Sequence, residues 1–175
     1  MYRNFTPDSD FAVVPFTPTK PPEPPRRQPW FFGNDDDLQI LLERACDLLR
    51  TGFAQGHLAL DNRANNTDPL TLDAVKFCAI GAIMRINEEL PVPRFLGKWY
   101  RRQRYNEAVL AIYKEIQWQP GWSPYTDDRK HRAKAVMYWN DGTNRNTVVS
   151  GFTRAIDNER TTCLLHLCRT GSTVI

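Results

Sequence analysis

The segment from Asp68 to Ile86 constrains the fold more than any other part of the chain. Leu72, Val75, Cys78/Ala79, Ala82/Ile83 and Ile86 recur at three- and four-residue spacing, the pattern of one apolar helix face. Thr71 is placed to cap such a helix, and Asp73 puts a carboxylate in its first turn, where free N–H groups and the helix dipole favour negative charge. The spacing therefore predicts a central helix that starts at Thr71 and ends near Glu89-Leu90, where Pro91 and Pro93 bracket the break. Gly81 lies inside it. A glycine there costs about 1 kcal/mol of helix propensity relative to alanine, so with Cys78, Ala79 and Ala82 it marks a place where another element approaches closely.

Other elements are read against this helix. A first helix is expected from about Asp35 to Thr51, with Leu38, Leu41/Leu42, Ala45 and Leu48/Leu49 on one face, Cys46 beside them and Gly52 as a stop. Asp35, Asp36 and Asp37 at its start complement the dipole; three consecutive carboxylates point in different directions on a helix and make a poor metal site. His57 to Thr67 reads as a polar loop. A third helix is expected from Arg94 to Ile116, with Leu96, Trp99/Tyr100, Tyr105, Val109, Ile112 and Ile116 inward and Lys98, Arg101, Arg102 and Arg104 outward. The run Ala135 to Trp139 is either a short strand or a helix end, before a turn signal at Asn140-Asp141-Gly142. A last amphipathic helix spans about Asn146 to Arg160, with Val148/Val149, Phe152 and Ala155/Ile156 as its stripe. With no sustained strand alternation and no internal repeat, the fold is expected to be mainly α, a small bundle of about four helices.

Of the 13 prolines, eight lie in the first thirty residues. The run Pro15 to Arg27 can neither form a helix nor sit in a central strand, because proline lacks the N–H and fixes φ. Residues 1–32 are thus an extended arm, 33–160 a helical domain and 161–175 a C-terminal tail. The arm is either a solvated terminus or a clamp on a neighbouring subunit; Phe11, Val14, Phe16, Trp30 and Phe31 are its candidate anchors. Charge is also uneven. Through Pro93 there are 9 basic against 13 acidic residues, and from Arg94 onward 14 against 7. That bias suggests a basic surface for an acidic protein or nucleic acid, with Lys98, Arg101, Arg102, Arg104, Arg129, Lys130 and Arg132 as its candidates. No segment approaches the roughly 18 uninterrupted apolar residues of a membrane span, and the N-terminus lacks a basic-then-apolar signal pattern. The expected location is the cytoplasm, or a virion if the chain is phage-encoded.

Four cysteines supply the remaining chemistry. Cys46 and Cys78 fall on or beside buried helix faces, where a thiol acts as a small hydrophobe, and reduced cysteines are the expected state. Cys78 with His57, Asn140 or Asp141 is the one catalytic arrangement available, a thiolate, an imidazole base and an orienting group; its competitor is a packing cysteine, with Asn140 and Asp141 as cap and turn residues tying the last helix to the core. Cys163-x-x-His166-x-Cys168 has ligand-type residues, but its spacing fits no common zinc pattern, so neither a metal nor a cofactor is expected. A Cys163–Cys168 disulfide is the other option there. No phosphate-binding glycine loop, dinucleotide fingerprint or paired-carboxylate motif is present.

Residues 38 to 157 resemble a family of small uncharacterised proteins of bacteria and their phages. The likeness rests on Leu42, Ala45, Leu48 and Leu49; on Phe53, Gln55 and Gly56, with Phe53 where the family commonly has Trp; on Ala74, Cys78, Ala79, Gly81 and Ala82; and on Trp139, Asn140 and Asp141. The resemblance implies no activity. Together these observations lead to the expectation of a non-enzymatic structural or interaction protein, held to neighbours in a larger assembly by its arm. A Cys78-dependent enzyme and a nucleic-acid or regulatory module are the alternatives.

Overall fold

A computed structural model of the protein describes residues 35–92, 96–117 and 129–170, with side chains over 37–92, 96–116 and 131–162. The described residues form five helices and three two-residue strands: α1 (Asp35–Thr51), β1 (Ala59–Leu60), β2 (Asn66–Thr67), β3 (Lys76–Phe77), α2 (Ala79–Glu89), α3 (Gly97–Gln117), α4 (Arg129–Gly142) and α5 (Arg145–Thr170). The mainly helical fold expected from periodicity is the fold observed. None of these helices is long and apolar enough to cross a membrane.

α1 lies where its pattern placed it, and Leu41, Leu42, Ala45 and Leu49 are fully buried or nearly so. It packs against α2 and α5, while α3 packs against α2, α4 and α5. Trp139 of α4 and Phe152 of α5 fill the centre as the largest fully buried side chains. The run Ala135 to Trp139, open between strand and helix in sequence, is helical within α4. Asn144 then starts α5 by accepting the Thr147 N–H at 3.0 Å, the ordinary role of asparagine at a helix start. α5 continues to Thr170, ten residues past the expected end at Arg160 and into the segment expected to be a tail.

The central helix is shorter than its apolar spacing predicts. α2 begins at Ala79, not after Thr71, and Leu72 and Val75 are 91% and 38% exposed. Hydrogen bonding gives the reason. The N–H groups of Val75, Phe77 and Cys78 donate to the carbonyls of Leu60, Gly52 and Leu58 at 3.0, 2.9 and 3.1 Å, so they are not available to carbonyls four residues back. The resulting sheet has the order β2-β1-β3, all antiparallel, with Ala59 opposite both Thr67 and Phe77. Its hairpin closes where Asp61 Oδ1 accepts the N–H groups of Arg63 and Asn65, each at 2.8 Å. The loop read as merely polar thus holds β1 and β2 and fixes where α2 can start.

Candidate functional site

Cys78 occupies the N-cap of α2, with φ −79° and ψ 171°, and its Sγ accepts the Gly81 N–H at 3.4 Å. Serine, threonine, aspartate or asparagine usually holds this position; here the thiol is the acceptor. Cys78 is 2% exposed, and burial pushes its thiol pKa up, aided by the negative charge of Asp141, while the Gly81 N–H pulls the other way. A helix N-terminus favours thiolate, but desolvation outweighs it here. His57 is exposed on the loop, and among the described residues no hydrogen bond joins it to Cys78. Of the residues weighed for thiol chemistry, the structure gathers Cys78, Asn140 and Asp141 but not His57.

Asn140 is fully buried and connects three segments. Its Oδ1 accepts the Ala79 N–H at 3.0 Å, and its Nδ2 donates to the Ala54 carbonyl at 3.0 Å and to Asp141 Oδ1 at 3.1 Å. Asp141 Oδ1 also accepts the Gly56 N–H at 2.8 Å. Gln55 Nε2 donates to the carbonyls of Asn140 and Asp141, each at 3.3 Å, and to that of Thr143, covering the end of α4. Gly56 holds a φ of +72°, which side chains rarely adopt. Gly81 answers a close approach, since a Cβ there would lie 1.9 Å from the Leu58 carbonyl oxygen. The small-residue stripe thus receives the β1 loop, and Asn140 and Asp141 lie within α4 rather than in the expected turn, where they tie the end of α4, not the last helix, to the core.

At the other end of α2 the groups differ. Arg104, expected on an exposed cationic face, is 3% exposed and belongs to the interior. Its Nε donates to Asn87 Oδ1 at 2.9 Å, and Nη2 donates to the carbonyls of Asn87 and Leu90 at 2.8 and 3.4 Å. Asp37 lies 3.7 Å away, and the Tyr100 ring sits 5.4 Å beneath the guanidinium. A cation among the last carbonyls of a helix suits both their lone pairs and the dipole. The signal was present in the sequence: Tyr100, Arg104, Ala108 and Ile112 are four residues apart and share the buried stripe. Trp99, expected inward, is 54% exposed, because Tyr100 takes the inward position.

The remaining cations fall into three groups. Lys98 and Arg102 are exposed. Arg101 is half-buried and paired with Glu88 at 2.7 Å, and Arg132 is half-buried and also engaged. Arg129 and Lys130 open α4, with side chains outside the described residues. Beside this face lies a shallow groove of about 290 Å³, lined by Leu70, Met84, Asn87, Glu88, Arg101, Arg102 and Tyr105. Sequence reasoning missed it, because Leu70 reaches the groove from the β2–β3 loop, which periodicity assigned to the approach to a longer helix. The anchors Phe11, Val14, Phe16, Trp30 and Phe31 lie outside the described residues, as do the side chains of Cys163, His166 and Cys168. Among the described residues, no group of three or more His, Cys, Asp or Glu side chains is placed to hold a metal ion.

No curated protein and no solved structure matches the chain. One family does, over residues 34–158, which run from the start of α1 to the middle of α5 and contain both ends of α2. By that match the chain belongs to DUF6197, a family of unknown function.

Proposed function

We propose that the protein is a non-enzymatic interaction subunit of a larger assembly, in which its N-terminal arm holds neighbouring subunits. The observation that carries this reading is apolar side chains left in water: Leu70, which lines the groove, is 45% exposed, and Leu72 and Trp99 are 91% and 54% exposed. An apolar side chain exposed on a groove is a feature of surfaces that meet other proteins. The reading is also supported by the role of these side chains: Cys78 Sγ caps its own helix, and Asn140 and Asp141 bond the backbone of Ala54, Gly56 and Ala79. Lys98 and Arg102 suit an acidic partner surface, and a phage particle is one setting for such a subunit.

Hydrogen exchange of the full-length chain, followed over residues 1–32 at low and high protein concentration and in its native assembly, tests the proposal. Protection that grows with concentration or with assembly is the expected result. Equal, fast exchange under all three conditions would remove the clamp. Retention of any measured activity by Cys78→Ser would further separate this reading from the thiol-enzyme alternative.

A further inference from the structure

We infer that the exposed face at the start of α3, built from Lys98, Trp99 and Arg102, binds single-stranded nucleic acid. The inference goes beyond the assembly reading and uses no residue of the arm. At about 100° of rotation per residue, Lys98, Arg102 and Tyr105 lie within about 60° of one another around α3, and Trp99 within about 60° of Arg102. Two cations and two aromatic rings therefore share one side of the helix. Lys98, Trp99 and Arg102 are all exposed, and among the described residues neither cation forms an ion pair. Trp99 adds little to the core, since Tyr100 takes the inward position.

The chemistry of this face selects its ligand. Lys98 and Arg102 stand one helical turn and about 6 Å apart, so each can meet a phosphate of the same strand. An indole exposed beside them can stack on a base of any sequence, because every base has a flat π-face. An acidic peptide would satisfy the cations and leave the indole without a planar partner, and a duplex hides its base faces within its own stack. A single strand uses both features. Beside Arg102 the groove continues the surface, with Leu70, Met84 and Tyr105 as an apolar wall for a neighbouring base. Glu88 also lines that groove, but Arg101 holds it at 2.7 Å and offsets its charge.

Fluorescence anisotropy of a labelled oligothymidine of about 12 nucleotides, titrated with the full-length chain from low to high salt, tests this. Binding that weakens as salt rises is the expected result. Trp99→Ala should weaken it about tenfold, the worth of one stacked base, and Trp99→Phe should recover most of that loss. Lys98→Gln with Arg102→Gln should lower the slope of log affinity against log salt by about 1.4, two phosphate contacts at about 0.7 each. A merely structural role would leave that slope unmoved. All three side chains stand in water, and circular dichroism checks that each variant folds. Affinity and slope unchanged in these variants would place the strand elsewhere on the chain, the arm included, and overturn the inference. A chain that binds no strand at low salt overturns it as well and leaves the assembly reading standing. An oligoglutamate peptide bound as tightly as the strand, with Trp99→Ala affecting neither, would assign the face to an acidic protein surface and overturn the inference.

Discussion

At the N-terminal end of α2, free backbone N–H groups meet Cys78 Sγ and Asn140 Oδ1, both buried. At its C-terminal end the last carbonyls meet the buried Arg104 guanidinium, yet two residues earlier on α3 Arg102 stands in water beside the groove. The first end is closed at Cys78 and Asn140, because three segments bring donors and acceptors to those buried side chains. The second is closed on the Tyr100–Arg104 face and open on the Lys98–Arg102 face. The comparison teaches that residue type does not decide whether a polar group builds the fold or serves the surface. Helical phase does: two residues, about 200° of rotation, separate a structural arginine from one free to meet a partner.

The closed end should break most severely at Gly81. Gly81→Ala sets a methyl against the Leu58 backbone, which cannot swing away as a side chain would, and should cost about 4 kcal/mol in urea unfolding. Asn140→Leu strands the Ala79 N–H and the Ala54 carbonyl and should cost about 3 kcal/mol by the same measurement. The contrast between the two arginines comes next: Arg104→Ala should lose roughly 2 to 3 kcal/mol, while Arg102→Ala stays within about 0.5 kcal/mol. Equal effects of the two would dissolve the distinction drawn from helical phase.

A further effect concerns pH. Burial first, then the hydrogen bond and charge of Asp37, push the Tyr100 hydroxyl up to about 12. An unfolded tyrosine loses its proton near 10, so above that pH the folded chain holds more protons than the unfolded one. Stability from this group is therefore complete below pH 10 and is lost as pH rises toward 12, by up to about 2 kcal/mol. Tyr100→Phe should flatten that part of the stability curve in alkaline urea titrations.

Much of the fold was legible in the chain. α1 was readable end to end because its stripe, its acidic start and Gly52 agree. The start of α2 was not, since Leu72 and Val75 continue a helical spacing that the backbone does not follow. Periodicity records side-chain pattern alone, and here the backbone donors of Val75, Phe77 and Cys78 go to a loop distant in sequence. Cys78 was legible as a buried packing cysteine but not as a cap, for the same reason. The groove was illegible because one of its walls comes from that misread loop.

By itself the sequence determined the helical class, the placing of α1 and the need for a close approach at Gly81, because each depends on local spacing or on a residue whose cost must be met somewhere. Only the tertiary structure decided where α2 begins, that Asn140 bonds both Ala79 and Ala54, and that Arg104 turns inward while Arg102 does not. Those outcomes depend on which distant carbonyl or N–H reaches a group first, and hydrogen-bond partners far apart in the chain leave no periodic trace in it.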